Sequence, residues 1–231
     1  MLLPACLNQI LLTSSNMIHS LFTAIDDFDN WAQTMSDRPQ DERGGEWECD
    51  YRHWGIVYDA FETFIQTSNP ATWTADEKER LLYILARDNE SEILAKMVST
   101  NEHALTALTE YAIVHGHRED KWQLAVQLHT LNDKNMAIQL LEQLVMAEDE
   151  YVNRLSLMEL AKLGASSVEH HCELFWNRHI YLDEDEEYQR MAVLTALKEI
   201  NSSQLGYYLE LAKKDGRKYL VRAADIYGRD T

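Results

Sequence analysis

The sequence predicts an all-α protein: antiparallel helix pairs stacked as a right-handed α-α superhelix, preceded by an N-terminal helical cap. Three observations carry that expectation. A phrase that opens on arginine and continues with apolar residues at helical spacing returns three times, as Arg154-Leu-Ser-Leu-Met-Glu-Leu-Ala-Lys-Leu-Gly, Arg190-Met-Ala-Val-Leu-Thr-Ala-Leu-Lys-Glu-Ile and Arg222-Ala-Ala-Asp-Ile-Tyr-Gly. Its arginines stand 36 and 32 positions apart, a period typical of helical units that cannot bury an apolar face alone and stack on their neighbours. Only 8 Gly and 3 Pro occur in 231 residues, too few for the turns of an all-β chain.

Taken in order, Met1 to Ile25 can form one or two helices through Leu7, Ile10, Leu11, Met17, Ile18, Leu21 and Phe22. Ser36 to Gly45, with Pro39 and the Gly44-Gly45 pair, reads as a loop. Trp54 to Ile65 is helical again, with Ile56, Val57, Phe61 and Phe64 at helical spacing. Thr74-Ala-Asp-Glu77 is a capping box, in which the threonine hydroxyl and the glutamate carboxylate each take a backbone N–H. The helix that follows carries Leu81, Leu82, Ile84 and Leu85 on one side. Further helices are expected over Ser91–Val98, Glu102–His115 (stopped by Gly116), the segment of Trp122 to Leu128, and that of Ile138 to Leu144. Tyr151–Leu163 (stopped by Gly164), Ser167–Trp176, Glu186–Ile200, Ser203–Lys213 and Tyr219–Tyr227 complete the series. Residues 1–73 therefore read as an acidic, aromatic cap and residues 74–231 as one continuous train of helices.

The pairing of short helices across polar turns resembles HEAT repeats over residues 74–231, most closely from Asp149 onward. The residues that carry the resemblance are an acidic turn followed by the Arg phrase: Asp149 before Arg154, Asp185 before Arg190, and Asp215 before Arg222. The resemblance implies that these side chains form a ladder of hydrogen bonds between successive repeats. Arg80 and Lys121 fit the pattern only loosely.

Charge narrows the partners. The chain holds 39 acidic and 21 basic residues, a formal charge of −18, which opposes direct binding to nucleic acid or to anionic membranes because both require a cationic face. It permits a cationic protein partner, or simply keeps the chain in solution. No basic n-region precedes Ile10-Leu11-Leu12, and that run is too short for an export signal. Three cysteines, Cys6, Cys49 and Cys172, lie outside any CxxC, so a reduced, cytoplasmic setting is expected.

Chemistry-bearing constellations are sparse. Glu169-His170-His171-Cys172 is the densest group of ligand types, but adjacent histidines on a helix diverge by about 100° and do not grip one ion as an i, i+4 pair does. His103, His115 and His117 bring no Cys or acidic partner at a recognised ligand spacing. Metal-binding HEAT enzymes of the deoxyhypusine hydroxylase type use His-Glu dipeptides, and this sequence contains none. The HEAT-like alkylpurine DNA glycosylases present a basic face, the wrong sign for this chain, and no motif favours a phycobilin lyase. There is no G-x-S-x-G and no Gly-rich phosphate loop. No catalytic residue, metal or cofactor is expected.

Two segments suit a protein partner. One is acidic and aromatic: Asp26, Asp27, Asp29 and Trp31, with Glu46, Trp47, Glu48 and Asp50. Aromatic anchors amid carboxylates suit an interface, and they equally suit packing of the first helices. Residues 1–70 hold 3 basic against 11 acidic groups. The other segment is Asp183, Glu184, Asp185, Glu186 and Glu187, either a binding surface or a solvated run that stabilises a helix N-terminus. A basic patch of Lys213, Lys214, Arg217, Lys218, Arg222 and Arg229 closes the chain.

The expected function is non-enzymatic protein binding. Small acidic helical-repeat proteins of this size resemble bacterial immunity proteins, which implies occlusion of a basic toxin's groove. A general scaffold or assembly factor, or a HEAT-type enzyme acting as a lyase or on a nucleobase, is the alternative. A water-excluded carboxylate beside aromatic residues would favour the enzyme, and an open acidic groove the binder.

Overall fold

A computed structural model describes residues 5–36 and 46–229, with side chains for 20–35, 46–182 and 184–229. Twelve α-helices account for most of the described residues. They are α1 (Ala5–Ser36), α2 (Trp54–Thr67), α3 (Ala75–Arg87), α4 (Ile93–Ser99), α5 (Glu102–His115), α6 (Arg118–Gln127), α7 (Lys134–Leu144), α8 (Glu150–Lys162), α9 (Val168–Asn177), α10 (Asp183–Glu199), α11 (Leu205–Asp215) and α12 (Lys218–Tyr227). Among them no helix is long and apolar enough to cross a membrane. The expected loop over Ser36–Gly45 falls almost wholly outside the described residues, as do residues 1–4.

The chain forms two compact units, Met1–Gln123 and Leu124–Thr231. Residue 73, the expected end of the cap, lies inside the first. In that unit α1 is a single helix that continues through the acidic Asp26–Trp31 stretch. The reason is a buried stripe at alternating spacings of four and three: Leu21, Ile25, Phe28, Ala32 and Met35. Helix α2 answers it with Val57, Phe61, Phe64 and Ile65, and α3 with Leu81, Leu82, Ile84 and Leu85. Helix α1 packs on α2 and α3, α2 on α4, and α5 on both α3 and α4. The capping box is present: Glu77 N donates to Thr74 Oγ1 at 3.2 Å, and Thr74 N to Glu77 Oε2 at 2.7 Å. Asn101 starts α5 by accepting Ala104 N at 3.2 Å, and its Nδ2 donates to the Ile65 carbonyl at 2.9 Å.

In the second unit each helix packs on its chain neighbours, and α10 also packs on α8 and α12. Three alternate helices thus lie side by side, backed by α9 and α11. Asp133 and Asp149 cap α7 and α8 by accepting backbone N–H groups two residues on, at 3.0 and 2.9 Å. Gly164 and Gly216 end α8 and α11 at φ of +68° and +84°, where a side chain would be strained.

Candidate functional site: an acidic cleft and two buried ion clusters

Helix α3 buries its leucines and turns Asp76, Glu79, Arg80, Tyr83 and Arg87 outward at helical spacing. Helix α1 supplies Asp26 and Asp29 on one flank. The end of α5 and start of α6 supply Tyr111, His115, Gly116, His117, Glu119 and Asp120 on the other. Two hollows of about 340 and 460 Å³ result, and Glu79 and Tyr83 line both, so they form one cleft within the first unit. Its lining holds six carboxylates against the two arginines Arg80 and Arg87.

Both arginines are already engaged. Arg80 pairs with Asp26, donates to the Phe22 carbonyl at 2.7 Å and lies 4.7 Å from the Phe22 ring. Arg87 pairs with Glu48 at 3.3 Å and lies over the rings of Tyr83 and Trp47 at 5.3 and 5.7 Å. Tyr83 donates its hydroxyl to Asp29 at 2.8 Å, and burial together with the Asp29 carboxylate pushes it up to about 12, which keeps it a donor at neutral pH. The deepest carboxylate is Asp120, 2 % exposed. Its Oδ2 accepts His117 N at 3.0 Å, while Oδ1 has no hydrogen-bond partner among the described residues. Burial pushes its carboxyl up to about 6. Gly116 makes room for it: a Cβ there would stand 2.3 Å from Asp120 Oδ1 and 2.7 Å from the Ala112 carbonyl oxygen. A cation entering this cleft would relieve a desolvated negative charge, and an anion would add to it.

The aromatic members of the first predicted segment pack against one another. Phe28 is fully buried, with the rings of Tyr51 and Trp54 at 5.0 Å and that of Trp31 at 5.7 Å. Trp31 stacks on Trp47 at 5.6 Å, and Trp54 Nε1 donates to the Glu48 carbonyl at 2.8 Å. The 3-10 turn Trp47–Asp50 is thereby fastened onto α1 and α2. Asp26, Asp27, Glu46 and Asp50 remain exposed, Asp29 is half-buried, and the Glu48 side chain is 12 % exposed.

In the second unit the predicted acidic run divides by direction. Glu184 and Asp185 are exposed, the Asp183 side chain lies outside those described, and Glu186 and Glu187 turn inward. Glu186 meets His179 at 2.6 Å, Arg190 at 2.8 Å and Arg217 at 3.5 Å. Glu187 Oε1 accepts the N–H groups of Tyr219 and Leu220 at 2.8 and 2.9 Å, so it serves the first turn of α12. Arg190 also pairs with Asp215, which Arg217 grips from Nε at 2.7 Å and from Nη2 at 2.8 Å. Those Arg217 bonds hold the Asp215 carboxyl below the usual range. Arg190 therefore ties α10 to the end of α11. Arg154 pairs at 3.3 Å with Glu150 of its own helix, and Asp149 caps α8, while Arg222 is exposed.

A second inward cluster escaped the sequence reading. Arg178 donates to Gln189 Oε1 at 2.9 Å and to Asn153 Oδ1 at 2.7 Å, and Tyr181 donates to the same Asn153 oxygen at 2.8 Å. Asn153 and Gln189 are fully buried. Each stands one residue before a repeated arginine, a register already present in the repeat. Nearby Glu150 is 6 % exposed, and burial pushes its carboxyl up to about 7.

Of the histidine run, His171 Nε2 lies 2.8 Å from Glu142 Oε2, which joins α9 to α7, whereas His170 is exposed. Burial opposes ionisation of Glu142, yet hydrogen bonds from Ser167 and His171 hold its carboxyl below the usual range. Cys172 is buried and its thiol is pushed up to about 12. Among the described residues no three His, Cys, Asp or Glu side chains group as a metal site. Comparison of the chain with family models, with curated proteins and with solved structures finds no match.

Proposed function

We propose that this chain is a protein-binding module whose first unit receives a cationic segment of another protein in the α1–α3–α5/α6 cleft. The observation that carries the reading is the excess of carboxylates around Tyr83, with both arginines of the lining already paired within the protein. Such a site attracts a basic partner over distance and holds it by charge-assisted hydrogen bonds. In its most concrete form the protein neutralises a basic toxin by occluding its substrate groove, as the HEAT-like sequence pattern implies for an immunity protein. The side-by-side row of α8, α10 and α12 supports stacked helix pairs of that kind within the second unit.

A second reading is favoured by Asp120 alone. A buried carboxyl with a value near 6 beside Tyr83, Tyr111 and His115 suits a general acid or base.

The test uses a 12-residue Lys/Gly peptide as probe, with affinity measured at two salt concentrations. The pair Asp76→Asn with Glu79→Gln should weaken binding at least tenfold and flatten its salt dependence, because charge contacts are screened within about 8 Å at physiological ionic strength. The pair Glu184→Gln with Asp185→Asn should leave this probe's binding unchanged. Equal losses from both pairs would show general charge attraction and overturn the cleft assignment.

A further inference from the structure

The connection between α9 and α10 is built the wrong way round for a solvated loop. It reads Arg178-His179-Ile180-Tyr181-Leu182. Two of its polar members turn toward the protein, Arg178 held by Asn153 and Gln189 and Tyr181 by Asn153 and by the Glu148 carbonyl at 3.1 Å, while the exposed His179 lies with Nδ1 2.6 Å from Glu186 Oε1. Its two aliphatic members face water, Ile180 at 68 % and Leu182 at 82 % exposure. The guanidinium of Arg178 also lies 3.9 Å from the Phe175 ring and 5.1 Å from that of Tyr181, so the loop is clamped at both ends. Tyr181 draws it against the connection between α7 and α8, where Met146 is 58 % exposed. Isolated exposed aliphatics are ordinary, but three on two adjoining connections, with the loop's polar groups used to fix the backbone, are not.

We propose that Met146, Ile180 and Leu182 form the apolar centre of a second docking surface, and that its occupant is a protein surface with an apolar hollow edged by lysine or arginine. The charge of the surround selects that partner. Glu148, Glu184 and Asp185 are exposed beside the apolar residues, an acidic rim that repels an anionic partner or an anionic bilayer and complements a basic edge. The energetic advantage lies in preorganisation. The loop is ordered before binding by Asn153, Gln189 and Glu186, so little conformational entropy remains to be lost when Ile180 and Leu182 are covered. This also assigns a task to the exposed half of the acidic run, since Glu186 and Glu187 are spent internally. The surface lies in the second unit and does not rest on the cleft reading.

The full chain is tested with three synthetic 18-residue peptides: an amphipathic Leu/Lys helix, an all-Lys control and a Leu/Glu helix of the same pattern. The Leu/Lys peptide should bind, and the pair Ile180→Ser with Leu182→Ser should weaken it at least tenfold while leaving the circular dichroism melt within a degree or two, because both residues are solvent-facing. The pair Glu184→Gln with Asp185→Asn should weaken it several-fold, and the all-Lys peptide should not respond to the serine pair. Unchanged affinity of the serine pair would overturn the proposal, as would equal binding of the Leu/Glu peptide. Self-association of the wild-type chain by sedimentation, abolished by the serine pair, would also overturn it, since the occupant would then be a second copy.

Discussion

Arg190→Ala is the most direct probe of how the second unit is held together. The side chain is 11 % exposed and lies between Glu186 of its own helix, at 2.8 Å, and Asp215 at the end of α11. Its guanidinium also sits 5.2 Å from the Trp176 ring of α9. Removing one partner of a buried ion pair costs about 3–5 kcal/mol when the other is left stranded. Neither carboxylate is stranded here. Asp215 keeps two hydrogen bonds from Arg217, and Glu186 keeps His179 and Arg217. The ionic loss should then resemble that of charged hydrogen bonds, about 1.5–3 kcal/mol, with about 0.5–1 kcal/mol more from the ring contact. Among the described residues the buried Arg190 Nε has no hydrogen-bond partner, and its removal offsets about 1 kcal/mol of this. The expected net loss is about 2 kcal/mol, a fall in Tm of about 4–8 °C at this chain length. Thermal melts of Arg190→Ala, Arg217→Ala and the double variant form the assay. The double variant leaves Asp215 and Glu186 without either guanidinium, so it should lose about 1 kcal/mol more than the sum of the singles. Asp215 is held below its ordinary 3.8 chiefly by Arg217. The stability it contributes is complete above that pH and is lost as pH falls through the folded-state value, so the deficit of Arg217→Ala should narrow in acid. A wild-type melt for Arg190→Ala, or strict additivity in the cycle, would refute the account.

Glu150→Gln should be increasingly stabilising relative to wild type as pH rises from 4.5 to about 7, and its advantage should be flat above that. The folded state keeps the proton over this interval while the unfolded chain releases it from the ordinary 4.5, so wild-type stability declines there; urea melts at pH 4.5, 6 and 8 that run parallel would contradict this. Gly116→Ala should cost about 1–3 kcal/mol by overpacking, because the new Cβ meets a buried carboxylate and a backbone carbonyl at 2.3 and 2.7 Å. Pairing it with Asp120→Ala should recover part of that loss in a thermal melt, and no recovery would place the clash elsewhere.

What the sequence determined by itself was the local chemistry of helices. The Thr74–Glu77 capping box, the span Glu102–His115, and the stop at Gly164 all stand where the residues put them, because each depends on groups a few positions apart. Asp26 and Asp29 could be read as candidate ligand groups from their acidity alone. The rest of the cleft could not, since Asp76, Glu79, Glu119 and Asp120 come from different helices and look in sequence like any solvated carboxylates. The continuity of α1 was equally hidden. Leu21, Ile25, Phe28, Ala32 and Met35 become a stripe only when α2 and α3 cover them. The run from Asp183 to Glu187 shows the reason most plainly. Its residues are chemically alike, but successive side chains on a helix turn by about 100°. Glu184 and Asp185 therefore reach water while Glu186 and Glu187 meet Arg190, Arg217 and the start of α12. Spacing specifies that a face exists, and only the neighbour packed against it decides which face that is.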